Sequence, residues 1–296
     1  MEITFLGTAC MQPTKERNHS GILLDFGPEH MLFDCGEGIQ RQFKVADIRM
    51  TKLTKIFLTH WHGDHSLGIM GLLQTLSASD ISQKITIYGP KGTKENLEML
   101  TKIYRTNNVP DYEVVELENG KIIDADSYYV ETLRMDHGIE SFGFRFVEKD
   151  KRKMNMEKLN KLGIKEGPLV GKLQAGKEIT VKGKKVKPEE VSTLMKGKIF
   201  VYLSDTGLCQ NAYKLSEDAD ILVTEATFDN ELTDKAERYK HLTAEQAGQI
   251  ASMSNSKKLI ITHFSQRYKT LDDLEKETKD VFPNAVLAFD FMKIKI

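Results

Sequence analysis

Short apolar runs closed by glycine or polar turns recur along the chain, and most are four to six residues long. Ile3–Leu6 reads as a first strand ended by Gly7. Gly21–Phe26 and Met31–Phe33 read as a hairpin about Gly27-Pro28. Lys55–Leu58 reads as a buried strand, and the run beginning at Ser66 as a helix for which Ser66 is a candidate N-cap. Ile85–Tyr88 is a further strand and Gly92 to Tyr104 a helix. From Glu113 to Val147 the pattern is all-β, with Tyr128–Leu133 and Phe142–Val147 the clearest strands. Residues 148–198 break this pattern. Strands return at Ile199–Leu203, Asp220–Thr227 and Leu259–Thr262, with a helix capped by Thr243 between the last two. Strands over 285–288 and 291–295 close the chain. Strands alternating with helices predict an α/β fold, and the two halves have similar make-up without any short tandem repeat.

Size and composition narrow this only a little. The 296 residues allow one large domain or two medium ones, with 40% hydrophobic and 29% charged residues. The net charge of −1 conceals an uneven distribution. Residues 148–198 hold fourteen lysines and Arg152 against seven acids, a surplus of eight positive charges, and no aromatic residue. Such a stretch is expected to lack the apolar content for a core of its own. It reads either as a solvated insertion or as a basic arm for a polyanion. Cys10, Cys35 and Cys209 are odd in number and scattered, which predicts a reducing cytosol and no disulfide framework. None has CxxC spacing, so a cysteine zinc site is not expected. The first residues lack the pattern of a signal peptide, and no apolar run approaches a membrane span.

The densest chemistry is Thr59-His60-Trp61-His62-Gly63-Asp64-His65, between a strand and a helix. His60 and His62 at i and i+2 project to one side of extended chain and can chelate one cation. Gly63 is expected to permit a turn, after which Asp64 and His65 point elsewhere and suit a second ion. Other candidates also follow strands. Asp34 is a ligand or, preferably, a carboxylate that orients the metal loop by hydrogen bonds. His137 is a candidate third donor for the first ion or, taken alone, a surface or core histidine; Asp205 is a carboxylate able to bridge two ions, and His263 the last candidate ligand. Glu225 ends a strand and offers His241 an orienting partner, as a proton-donating imidazole needs. Arg267 could bind phosphate or form an ion pair, and His19 and His30 read as bystanders.

With His60-x-His62-x-Asp64-His65, His137, Asp205 and His263 in this order, the chain resembles the metallo-β-lactamase superfamily. Phe5-Leu6-Gly7-Thr8, Asp34-Cys35-Gly36-Glu37-Gly38, Glu225-Ala226-Thr227, His241-Leu242-Thr243-Ala244 and His263-Phe264-Ser265 are similar to its RNase Z branch, the tRNA 3′-processing endonucleases. The match runs through nearly the whole chain, with Ile39 departing where threonine is common. The resemblance implies a four-layer αβ/βα sandwich, a single domain over 1–296 with a flexible basic arm inserted at 151–187. It implies two zinc ions (manganese or another divalent ion being the alternative), one on His60, His62 and His137 and one on Asp64, His65 and His263, with Asp205 bridging. It further implies Asp64 as base, His241 as proton donor oriented by Glu225, and precursor tRNA as substrate, its 3′ trailer removed to leave a 3′ hydroxyl. Gly167, Pro168 and Lys172 of the arm, with Arg267, would contact that RNA. A cytoplasmic homodimer, without membrane or nucleotide cofactor, completes the expectation. The alternative is a small-molecule hydrolase on the same fold, a lactonase or phosphodiesterase.

Overall fold

In a computed structural model, residues 1–79, 83–105, 109–181 and 183–296 are described; Lys182, one of the basic residues of the arm, lies outside them. Two seven-stranded sheets dominate the described residues. The first contains β1 (Glu2–Gly7), β2 (Gly21–Phe26), β3 (Glu29–Phe33), β4 (Leu53–Phe57), β5 (Ile85–Gly89), β6 (Tyr112–Glu116) and the C-terminal β18 (Lys293–Lys295). Its order is β18-β1-β2-β3-β4-β5-β6, antiparallel from β18 to β3 and parallel from β3 to β6. The second contains β7 (Gly120–Asp124), β8 (Tyr128–Met135), β9 (Ser141–Glu148), β14 (Ile199–Leu203), β15 (Ile221–Glu225), β16 (Leu259–Thr262) and β17 (Ala285–Leu287). Its order is β17-β16-β15-β14-β9-β8-β7, with β14 to β17 parallel.

Side-chain alternation along these strands builds the layers. On β3 and β4, Leu32 and Ile56 pack with Ile39 and Phe43 of α1 (Ile39–Val45) and with Leu72, Leu73 and Leu76. Leu72, Leu73 and Leu76 belong to α3 (Ile69–Ala78), which follows the short α2 (Gly63–Ser66); Leu97 of α4 (Thr93–Ile103) joins the same cluster. The alternate residues Phe33 and Phe57 face the second sheet. Phe33 meets Phe144, Phe200 and Tyr202 with ring centroids 5.4–6.0 Å apart, and Phe57 meets Phe144 at 5.2 Å. The other face of the second sheet, with Val201, Leu203, Leu222 and Ile261, packs under α8 (Gln210–Ser216), α10 (Ala244–Met253) and α11 (Asp272–Val281). The result is helix, sheet, sheet, helix. It is the four-layer αβ/βα sandwich the resemblance implied, and all residues named in its packing belong to one compact unit (Met1–Ile122, Val130–Phe146, Ile199–Ile296).

Two local expectations are corrected. Ser66 is not an N-cap: it ends α2, its hydroxyl donates to the His62 carbonyl at 2.8 Å, and Gly68 precedes α3. The turn expected at Gly63 is the opening of α2, a helical start rather than a loop, with His62 as the capping residue. The Thr243 cap is as expected, with a capping box to Gln246 at the start of α10.

The second compact unit comprises Ile123–Tyr129 and Val147–Lys198. Contrary to the expectation from composition, residues 148–198 do make a core. Leu159, Ile164, Val170, Leu173, Ile179, Val186 and Val191 form a buried cluster with Met154 and Val181 against it. They come from α5 (Met156–Lys161), the loop after it (Ile164), α6 (Pro168–Gln174), α7 (Pro188–Val191), the hairpin of β11 (Ile179–Val181) with β12 (Lys184–Val186), and β10 (Lys151–Met154), which pairs antiparallel with the distant β13 (Ser192–Met195). Each element gives one or two apolar side chains, so no run or period reveals the cluster. Gly167 at φ 149 and Pro168 start α6; glycine tolerates that φ, and proline suits a first helical position. Lys158, Lys161, Lys165, Lys172, Lys177 and Lys187 are all exposed.

Candidate metal centre

The cleft opens where β1, β3, β4, β8, β14, β15 and β16 end, so seven separate strand ends deliver polar groups to one place. Its cavity of about 820 Å³ is lined by Cys10, Met11, His62, Asp64, His137, Asp205, Phe228, His241 and Arg267, among others.

Most of the imidazoles are held by an oxygen on Nδ1. Thr59 Oγ1 is 2.9 Å from His60 Nδ1, and Asp34 Oδ2 is 2.8 Å from His65 Nδ1. The Lys240 carbonyl is 3.0 Å from His137 Nδ1, Thr227 Oγ1 is 3.0 Å from His263 Nδ1, and Glu225 is 2.9 Å from His241 Nδ1. Anchoring that nitrogen fixes ring orientation and turns Nε2 inward. His62 is the exception: its Nδ1 faces His60 Nε2 at 3.0 Å and His137 Nε2 at 3.2 Å.

The inward atoms sort into two groups. One holds His60, His62, His137 and Asp205, with donor atoms within 4.8 Å of one another; another holds His65, Asp205 and His263 on the same criterion. Asp205 serves both: Oδ2 lies 3.6 Å from His60 Nε2, while Oδ1 lies 3.4 Å from His65 Nε2 and 3.3 Å from His263 Nε2. Asp64 Oδ2 joins the second group at 3.4 Å from both His65 Nε2 and His263 Nε2. His65 and His263 bring their Nε2 atoms within 3.2 Å of each other although both are buried. At that distance the two nitrogens either share one proton as N–H···N or turn their lone pairs to a cation between them. The set of imidazole nitrogens and carboxylate oxygens fits divalent ions of the zinc class.

Charge follows from this crowding. Burial, with His65 beside it, holds His60 well below the usual imidazole range. Burial would lower His65 and His263 too, but Asp205 together with Asp34 at His65, and with Cys10 and Asp64 at His263, outweighs it and both rise well above that range. Burial tends to raise Asp205 and Asp64, yet the histidines around them drive both well below the ordinary carboxylate range. For His241 the carboxylates of Glu225 and Asp205 overcome burial and bring it to about 9.

Asp34 takes the supporting role preferred from sequence. Its two oxygens accept from the Thr59 amide at 2.8 Å and the Tyr202 hydroxyl at 2.8 Å, besides holding His65. Asp34 and His263 both adopt left-handed backbone (φ 60 and 62), a conformation costing about 1–3 kcal/mol that surrounding bonds must over-determine. Glu225 accepts from the Thr206 amide at 2.9 Å and the Thr227 hydroxyl at 2.5 Å. Arg267 lies on the cleft with its guanidinium 5.2 Å from the Phe228 ring centroid. His19 lines the cleft but turns Nε2 to the Met11 carbonyl, and His30 pairs with Asp25. Gly167, Pro168 and Lys172 belong to the second compact unit and line no part of this cleft.

Sequence reasoning passed over Thr59, Tyr202 and Thr227, whose roles depend on pairing across the sheets. It also set aside Cys10. Its sulfur lies within 4.8 Å of donor atoms of Asp64 and His263, which are themselves within that distance of each other. The signal available was its place just beyond β1, a strand end like those of the other candidates.

A family model described as "Anti-Pycsar protein Apyc1" matches residues 1–157. A protein named Ribonuclease Z from Methanosarcina acetivorans is 38% identical over 301 residues, covering 100% of this chain and 98% of the relative. Another of that name, from Bacillus cereus strain G9842, is 39% identical over 305 residues, covering 100% and 99%. The crystal structure of human tRNase Z, short form, superposes with a TM-score of 0.75 at 32% identity, covering 100% of this chain and 99% of that one. YhfI of Bacillus subtilis, described as a metallo-beta-lactamase fold protein, gives 0.72 at 20% identity over 99% and 98%. The Apyc1 match ends before Asp205, Glu225, His241 and His263, whereas the ribonuclease Z matches include them. On this whole-chain likeness, carried by a sandwich whose strand ends gather the histidine and aspartate donors, the chain belongs to the ribonuclease Z family of metallo-β-lactamase-fold enzymes.

Proposed function

We propose that this chain is a tRNA 3′-processing endoribonuclease that hydrolyses the phosphodiester joining a precursor tRNA to its 3′ trailer and leaves a 3′ hydroxyl. The observation that carries the reading is the Glu225–His241 pair beside the donor cluster, in a chain alike over its full length to proteins named Ribonuclease Z. Two zinc ions are assigned here, one to His60, His62 and His137 and the other to Asp64, His65 and His263, with Asp205 between them; manganese is the alternative. Such ions would neutralise the phosphate and activate water at neutral pH.

The chain's own groups then have defined tasks. Asp64 orients the attacking water and accepts its proton. His241 keeps Nδ1 against Glu225 and turns Nε2 towards Asp205, 4.0 Å away, so its free N–H is aimed into the cleft. From there it protonates the departing 3′ oxygen. Arg267 meets a phosphate at the cleft. The basic unit around 151–187, with Gly167, Pro168 and Lys172, grips the tRNA body through its exposed lysines, as counterion release favours. The scattered cysteines support a cytoplasmic location, and no helix among the described residues is long and apolar enough to cross a membrane. A homodimer is assigned by likeness to the family.

A small-molecule hydrolase is the second reading, favoured by the match of residues 1–157 to a family of another name. Precursor tRNA with a 3′ trailer, incubated with wild type and Asp64→Ala in zinc or manganese, separates the two. A single cut near the acceptor-stem end by wild type alone supports the endonuclease. No cut, with a small phosphodiester or ester still turned over, overturns it. His241→Ala should keep its metal and lose about 10²–10⁴-fold in kcat.

A further inference from the structure

We infer that the Cys10 thiolate is an additional ligand of the ion assigned to Asp64, His65 and His263, so that this half of the centre selects a thiophilic metal. The inference rests on that assignment and goes beyond it.

Three features separate Cys10 from an ordinary small residue. Its position is fixed: its amide donates to the Phe264 carbonyl at 3.0 Å, and the next amide, Met11, donates to Asp64 Oδ2 at 2.7 Å. The loop after β1 is thereby tied to the residue after His263 and to Asp64 itself. Its sulfur is directed into the same space as these donors, within 4.8 Å of both. Its surroundings are those of a ligand, since Cys10 lines the cleft that holds the histidine and aspartate donors whereas Cys35 is fully buried in an apolar cluster. Independently, Asp64 Oδ2 and Asp205 Oδ1 converge on the buried His65 and His263 Nε2 atoms at 3.3–3.4 Å, a donor set for one cation beside this sulfur.

The bonding step is simple. A divalent ion replaces the thiol proton, the sulfur–metal bond forms, and the proton leaves to solvent. Sulfur beside imidazole and carboxylate favours zinc and cobalt over manganese or magnesium, which prefer oxygen.

The test uses the full chain, freed of metal by chelation and titrated with cobalt(II). Wild type should bind two equivalents and develop a sulfur-to-cobalt charge-transfer band in the near ultraviolet. Cys10→Ala should keep the visible cobalt bands, lose the charge-transfer band, and bind zinc about tenfold or more weakly at the second equivalent. In wild type itself, zinc should protect one thiol from a thiol-reactive dye, a result independent of how the variant folds. Two bound cobalt ions without the band, or a band that persists in Cys10→Ala, overturns the role of Cys10 while leaving the metal assignment standing. Failure of wild type to bind cobalt overturns the assignment as well.

Discussion

Asp34 and Leu173 are both buried, and they mark two ways of holding a structure. Asp34 touches Thr59, His65 and Tyr202, residues brought from the loop just beyond β4, from α2 and from β14 by the closure of two sheets. Leu173 packs among side chains that all lie between Met154 and Val191. The metal centre therefore depends on long-range order throughout the sandwich, whereas the basic unit closes largely on itself. Buried polar networks are costly when half satisfied, so the centre must be complete to be stable. A small apolar cluster under a lysine-rich surface asks less of the rest of the chain, and its charged face can vary while the core stays. The chemistry and the substrate capture proposed above would thus fall to parts with different tolerance for change.

Three substitutions probe this contrast. Asp34→Asn removes the carboxylate that orients His65, and zinc affinity should fall about 10–100-fold, read by chelator competition. Unchanged affinity would mean that the packed sheets alone position the ring. Leu173→Ala should cost the basic unit about 2–5 kcal/mol. Hydrogen exchange should then rise across 147–198 while metal content stays whole; loss of metal would show that the two regions are not independent.

The smallest effect concerns Asp290, which accepts from the Thr8 hydroxyl and the Asn18 amide at 2.8 Å and from Gln42 at 3.1 Å. Burial raises its carboxyl to about 6. Because the folded value lies above the ordinary one, its contribution to stability is full below about pH 4 and is lost as pH rises through 6. Asp290→Asn should therefore lower Tm more at pH 4.5 than at pH 7.5. An equal decrement at both would show that the carboxyl does not titrate in this range.

How far the sequence could be read follows the same division. The His60–His65 stretch, His137, Asp205 and His263 were legible because each follows a strand, and strand ends of α/β folds meet at one edge. The Thr243 cap and the β2–β3 hairpin were legible because their signals are local. The helix start near Ser66 was misplaced because residues 63–66 form a separate short turn of helix, which no cap residue announces. The core of 148–198 was hidden because its apolar residues are single and widely spaced. Tyr202, Thr59 and Cys10 were passed over because their partners lie across sheets or loops far away in sequence.

The central claim is that the cleft cleaves phosphodiesters and the basic unit selects tRNA. Deleting residues 163–183 and measuring kcat/KM side by side on a precursor tRNA and a small phosphodiester tests it most directly. A large loss on the tRNA with little change on the small substrate is expected. Equal loss on both would contradict the division of labour.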